Sequence, residues 1–469
     1  FRPDKEGNMA VYGTSGSGKS VFLRTMAVAA GYTVRGGPCH VYGLDFGNRG
    51  LAMLEALPHV GSIVPGGDHE RVTRLLRMLR ATIDERASRY SAVSAATITD
   101  YRRLSGRGDE PRVTVLIDGM TAFRQAYEVG GRFQWLDLLA GLAADGRPVG
   151  VHFIIASDQR TGLPTNLAAA VQGRLILRMS SVDDYSVFGV PGDVLTMASP
   201  PGRGLLAGQE VQVAVLGGST DVTVQAAAVE AFAEATRRAG VSEAPPIESL
   251  AEVIPLGQLP SEHGGRPVIG VASSSLEPHG FDPRGTFIVT GPSGSGRTTA
   301  LAAVAVGLYR FSSEAERYLL TPRRQSELLD LGVFTETAVG SDAATALATR
   351  LAADIEAGRI TKPVAVFVER IDDLAPAGAE NALTTLAKAC VDNDQLIVAE
   401  GEAGFFSTNY GLQALLKTSR SGLALHPDGN EGLSVFKANL PGLNRAELPP
   451  GRGFVIEKGK FELLQVALP

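Results

Sequence analysis

Gly13-Thr14-Ser15-Gly16-Ser17-Gly18-Lys19-Ser20 is the stretch that decides how this chain reads. It fits Gly, four residues, Gly, Lys, then Ser or Thr, the P-loop or Walker A pattern. The glycines let the backbone curl so that successive N–H groups point at phosphate oxygens. A helix opening at the end of the loop turns its positive N-terminus toward the same anion. In that frame Lys19 reaches the β- and γ-phosphates of ATP and Ser20 offers its hydroxyl to Mg²⁺. The flanks agree: Met9–Tyr12 is a short apolar run before the loop, and Val21–Val28 is a helix-compatible apolar run after it.

A second loop, Gly291-Pro292-Ser293-Gly294-Ser295-Gly296-Arg297-Thr298, keeps the glycines and the hydroxyl but puts Arg297 where the lysine belongs. Arginine is a wider, planar cation and does not replace a compact ammonium conservatively. Two such loops imply two nucleotide-binding folds with different tasks.

The chain between the loops supports this. In the first half, His40–Asp45, Val113–Asp118, Val151–Ala156 and Arg174–Arg178 read as strands, and Glu70–Tyr90 as a helix with Leu75, Leu76, Leu79 and Ile83 on one face. Apolar strands alternating with helices predict an α/β fold with a mostly parallel central sheet covered on both faces. The second half repeats the order. Val364–Glu369 restates the strand before Asp118, Gln395–Ala399 restates the one near Phe153, and Pro200-Pro201-Gly202-Arg203-Gly204 recurs as Pro449-Pro450-Gly451-Arg452-Gly453. The sequence therefore predicts a duplication: a domain over 1–240 with the intact loop, a proline-rich polar linker over 241–261, and a degenerate P-loop domain over 262–469.

At 469 residues the chain is too long for one core. Its 44% hydrophobic and 20% charged residues are those of a globular protein. No apolar run approaches the ~20 residues of a membrane span. The chain opens at Phe1, which suggests a piece of something longer, with any anchor in the missing part. Cys39 and Cys390 stand far apart and make neither a disulfide framework nor a metal-ligand spacing. A net charge of −6 gives no general reason to bind DNA, which is not expected as a partner.

Asp118 closes the apolar strand after the first loop and is the expected Walker B aspartate in the Mg²⁺ shell. Hydrolytic motors follow this residue with a Glu that activates water. Gly119 follows here and cannot take a proton, so hydrolysis should be weak or absent unless another carboxylate substitutes. In the second half Glu369 stands at the Asp position with Arg370 after it, and Asp372 and Asp373 come slightly later. That site admits three readings: a vestigial structural loop, binding without turnover, or a working ATPase. Arg160, Arg174, Arg178 and Arg420 follow or lie in sheet strands. They are the candidates for an arginine supplied across a boundary, Arg174 being the one chosen as a finger.

The runs His40–Gly47, Leu57–Gly61, Tyr101-Arg102-Arg103 and Ile117–Arg124, with both Pro-Pro-Gly-Arg-Gly segments, resemble the FtsK/SpoIIIE-type ATPases of type VII secretion, the EccC/EssC family. The resemblance covers nearly the whole chain. It implies two tandem RecA-like P-loop NTPase domains, the last two of three in a membrane-anchored protein at the cytoplasmic face of the cell membrane. It also implies an upstream ATPase domain, a membrane secretion complex, assembly as a homo-oligomer such as a hexamer, and small helical secretion substrates bound through a C-terminal signal. In such proteins the last domain often carries a degenerate site and docks that signal. The alternative is a DNA translocase of the same superfamily, against which the acidic balance and the altered second site argue. A non-enzymatic docking module that binds ATP is a further alternative.

Overall fold

The computed structural model describes residues 1–32, 37–128, 132–441, 445 and 448–469. The chain divides into two compact units, Phe1–Ser249 and Leu250–Pro469. The polar stretch expected as a linker over 241–261 is shared between them. Ala244 donates its amide to Pro58, and Ile247 to the Ser62 hydroxyl, within the first unit. Leu256 bonds Leu468 within the second.

The first unit holds eight strands: β1 Asn8–Tyr12, β2 Cys39–Asp45, β3 Val60–Pro65, β4 Arg112–Asp118, β5 Val151–Ser157, β6 Val171–Leu177, β7 Arg203–Leu206 and β8 Gln209–Gln212. Their order across the sheet is β3-β2-β4-β5-β1-β6-β7-β8. The pairs from β3 to β6 are parallel, and the hairpin β7–β8 closes the sheet in antiparallel register. Residue alternation splits the core into two layers. Val113, Val115 and Ile117 of β4, with Val151, Phe153 and Ile155 of β5, face the helices His69–Ala92, Met120–Glu128 and Phe133–Asp145. Leu116, Ile154 and Ala156 face the helix Lys19–Ala30 on the other side. This is why the strands read as unbroken apolar runs: both faces are covered. The helix His69–Ala92 is set by Asp68, which accepts the amide of Arg71 at 3.0 Å, and it buries Val72, Leu75, Leu76, Leu79 and Ile83. Each fully buried side chain of this size contributes about 1.5–3 kcal/mol.

The second unit repeats the plan with added strands: β9 Glu262–His263, β10 Arg266–Ala272, β11 Pro278–Gly280, β12 Gly285–Thr290, β13 Glu316–Thr321, β14 Glu336–Val339, β15 Val364–Val368, β16 Leu396–Gly401, β17 Gly422–Leu425, β18 Arg452–Glu457 and β19 Lys460–Val466. The order is β11-β10-β19-β18-β17-β12-β16-β15-β13-β14, with β9 on β10. β12 is the counterpart of β1, and β16 and β15 are those of β5 and β4. The same two-layer alternation recurs, with Val364, Val366 and Val368 in one layer and Ala365 and Phe367 in the other.

In both units the loop of interest leaves the carboxyl end of a central parallel strand, where α/β sheets place their ligands.

Candidate functional site: two phosphate loops

In the first unit the loop runs from Gly13 to Gly18, and the helix Lys19–Ala30 starts directly after it. No side chain caps that helix, so its first amides stay free for an anion. Lys19 is folded onto the loop. Its Nζ donates to the carbonyls of Gly13 at 2.6 Å and Thr14 at 3.0 Å, and lies 2.8 Å from Asp158 Oδ1. A cation is thus held where a polyphosphate would lie.

Ser20 Oγ donates to Asp118 Oδ2 at 2.6 Å. Asp118 ends β4 and is buried, and that burial pushes its carboxyl above the ordinary range; the Ser20 hydroxyl pulls back, and Asp45 beside it pushes further. A hydroxyl and a buried carboxylate that resists carrying bare charge form a hard-oxygen pair that fits Mg²⁺. Ser20 and Asp118 would hold the ion, which neutralises charge on the phosphates when bound. Asp45 plays a different part: Oδ1 accepts the amide of Gly47 at 3.0 Å and Oδ2 that of Leu51 at 2.9 Å, fixing the turn beside Asp118. Gly119 sits in the left-handed region at φ 81°, and a Cβ there would stand 3.0 Å from the backbone of Phe46.

The repeated Pro-Pro-Gly-Arg-Gly segments turn out to touch the loops. Gly202 donates its amide to Ser17 at 2.8 Å, and Gln212 Nε2 donates to Pro201 at 3.0 Å while Gln212 Oε1 accepts Arg203 Nε at 3.1 Å. In the second unit Gly451 donates to Ser295 at 2.9 Å, Gln465 Nε2 to Pro450 at 3.0 Å, and Arg452 Nε to Gln465 Oε1 at 2.8 Å. The sequence displayed the repeat but not Gln212 and Gln465, which lie on the next strand.

The second loop runs from Gly291 through Pro292, Ser293, Gly294 and Ser295 to Gly296, with the helix Arg297–Phe311 after it. Arg297 reaches back as Lys19 does, donating to the Gly291 carbonyl at 2.8 Å, but its Nε lies 2.9 Å from Glu400 Oε1. Glu400 is 1% exposed and had no place in the sequence reading. By strand register it stands where the first unit has Ala156. Burial pushes its carboxyl upward, while the amide of Arg370, at 2.8 Å, and Arg297 draw it down. Glu369 accepts the Thr321 hydroxyl and is fully buried. Arg370 is left-handed at φ 47° and pairs with Asp373 at 2.6 Å, and Asp372 accepts the amide of Glu402 at 3.2 Å. The later carboxylates are therefore engaged elsewhere. A pocket of about 510 Å³ opens at this loop, lined by Ser293, Arg297, Thr298, Arg323 and Gln325 among others.

The arginine candidates separate. Arg178 donates to Met197 at 3.1 Å and Ser199 at 3.2 Å and stands over Gly16. Arg160 donates to Val187 at 2.9 Å. Arg174 is exposed in β6 opposite Ala10, two residues short of the loop end, and is not brought to its own unit's site. Arg420 is exposed and left-handed at φ 47°.

Residues 2–194 match the FtsK/SpoIIIE family. The chain is 27% identical to the ESX secretion system protein EccC of Thermomonospora curvata over 497 aligned positions, covering 96% of this chain and 36% of that protein. It is 25% identical to the ESX-4 secretion system protein EccC4 of Mycobacterium tuberculosis, covering 98% and 38%. It thus spans little more than a third of these relatives. Among solved structures, ATPases 2 and 3 of Thermomonospora curvata EccC, in complex with a signal sequence peptide, superpose with a TM-score of 0.80 at 24% identity, over 100% of this chain and 89% of that one. ATPases 2 and 3 of Geobacillus thermodenitrificans EssC give 0.69 at 19%, over 99% and 92%. These likenesses establish the fold as two RecA-like P-loop domains.

Proposed function

From the premise that this chain carries an FtsK/SpoIIIE domain and is a relative of the EccC and EssC proteins of ESX secretion, we propose that it is the tandem-ATPase portion of a type VII secretion motor. Its first unit binds Mg·ATP, and its second recognises export substrates. The observation that carries this is the contrast at the two loop cations, Lys19 and Arg297. Lys19 is held by backbone carbonyls and an exposed carboxylate, which a polyphosphate can outcompete. Arg297 is tied to the buried Glu400. The first loop is built to exchange partners and the second to keep one. ATP turnover by the first unit is slow, because Gly119 puts no base at the usual place.

The second unit keeps its core and its loop brace while its chemistry has changed, which suits a docking role. The signal peptide bound to the EccC relative supports a partner of the same kind: the C-terminal tail of a small helical substrate, laid as an apolar-faced helix in a groove. Several substrates linked together would gather several chains, a hexamer among the possible assemblies, by multivalency. The motor acts at the cytoplasmic face of the membrane beside an upstream ATPase domain. No helix among the described residues is long and apolar enough to cross a membrane.

The test is tail binding. Each unit has its own sheet and cores, so a chain ending at Ser249 can be compared with the full chain. A tail that binds the full chain and not the truncated one supports the assignment, and full affinity in the truncated chain overturns it. Submicromolar, salt-dependent binding of random duplex DNA would instead favour the translocase alternative.

A further inference from the structure

We propose that Asp158 supplies the proton acceptor that Gly119 cannot, and is the base that activates water in the first unit. The inference rests on the reading of Gly13–Ser20 as a nucleoside triphosphate site.

Three carboxylates surround the loop among the described residues, and two are committed. Asp45 spends both oxygens on backbone amides, and Asp118 is buried against Ser20. Asp158 is open to solvent, with 62% of its side chain exposed, and meets the loop through Lys19 Nζ at 2.8 Å. Its position is fixed from both sides. Ser157, the last residue of β5, accepts the amide of Gly13 at 3.3 Å, so Asp158 begins where the loop begins. Ser157 Oγ then donates to the carbonyl of Gln159 at 2.8 Å and closes the turn around Asp158.

The lysine of a P-loop grips the β- and γ-phosphates. Asp158 contacts the ammonium that would grip the γ-phosphate, which would set its carboxylate within about one water molecule of that group. That is the reach a general base requires. The step balances without a further reactant. Water oxygen forms a bond to the γ-phosphorus, and the bond from that phosphorus to the βγ-bridging oxygen breaks. ADP keeps the electron pair, and the water proton passes to Asp158, whose exposed face returns it to solvent. Lys19 stands between the loop carbonyls and Asp158, so the base is released for work only when phosphate draws the lysine away. The second unit lacks this arrangement. Glu402 occupies the matching position by strand register, but Arg297 is paired with Glu400.

The experiment uses the full chain, unaltered and as Asp158→Asn, Asp158→Ala and Asp158→Glu, with Mg·ATP as the probe. Single-turnover hydrolysis and calorimetric affinity are measured on the same proteins. The residue is exposed, so the fold should survive each change. Asp158→Asn and Asp158→Ala should lower the hydrolysis rate on the order of 10²-fold with affinity equal or tighter, and Asp158→Glu should keep part of the rate. Unchanged hydrolysis with tighter binding in Asp158→Ala would reduce Asp158 to a restraint on Lys19 and overturn the proposal. So would an unaltered chain that binds ATP without hydrolysing it. Failure of the unaltered chain to bind ATP would instead remove the underlying nucleotide assignment, and the proposal with it.

Discussion

Gly202 donates its backbone N–H to the carbonyl of Ser17 at 2.8 Å, joining the β7 hairpin to the floor of the first phosphate loop. The bond fixes Ser17 just before the helix that carries Lys19 and Ser20. Gly202 is left-handed at φ 80°, and a Cβ there would come 2.9 Å from Gln212 Nε2 and 3.2 Å from Val213. A β-branched residue in such backbone costs about 1–3 kcal/mol. Gly202→Val should therefore weaken ATP binding roughly 10-fold, or about 1.4 kcal/mol, by calorimetry. Undiminished affinity would show that the hairpin does not shape the loop.

Lys19→Ala removes the charge that faces the phosphates. Hydrogen bonds to charged groups contribute about 1.5–3 kcal/mol, so ATP affinity should fall by one to two orders of magnitude. An unchanged dissociation constant would refute the loop assignment.

The Arg297–Glu400 pair makes the opposite kind of prediction, about stability. Glu400→Ala leaves a largely buried guanidinium without its partner, and breaking such a pair typically costs about 3–5 kcal/mol. Hydrogen exchange should report loosening of the second unit and leave the first unchanged. A double replacement, Arg297→Met with Glu400→Leu, should recover most of the loss. If the single change is silent, the pair is not what holds this loop.

Acid should weaken the first unit through a buried histidine. His152 is fully buried in β5, and burial drives its imidazole from 6.5 down to about 4, with Asp4 at 3.9 Å only partly opposing. The unfolded chain takes up a proton near pH 6.5, which the folded unit refuses until about pH 4. Stability is therefore fully present above pH 6.5 and declines by about 3 kcal/mol as pH falls across that window. Urea unfolding from pH 7 to 4.5 should show the slope in the first unit, and His152→Leu should reduce it, leaving the part that the half-buried His40 and the buried His59 contribute.

Strands, helices and both loops were readable because each signal is local. An apolar run such as Val113–Asp118 carries its own period, and Gly13–Ser20 its own spacing. Asp118 was readable because a strand end is a fixed place relative to the loop. Asp158 and Glu400 were not, because what gives them meaning is strand register: β5 and β16 bring them beside Lys19 and Arg297 from far along the chain. Gln212 and Gln465 take their meaning from strand pairing in the same way. The proline-rich stretch over 241–261 read as a linker by composition, yet Tyr42 Oη donates to the Pro245 carbonyl at 3.0 Å and Arg71 Nε to that of Ile247 at 2.8 Å. Backbone acceptors of this kind leave no mark in the sequence.

The turn at Gly119 also bears on what evolution can undo. A glutamate there would set a Cβ 3.0 Å from the Phe46 backbone in a conformation that L-residues avoid, so a single Gly119→Glu replacement would be strained. Arg370, at the matching place in the second unit, takes the same hand of backbone, and Glu400 accepts its amide. The main chain at Gly119 thus disfavours a glutamate in the first unit. A lineage that needed faster turnover would have to improve on Asp158, the carboxylate already set beyond β5, or hand the work to a neighbouring domain.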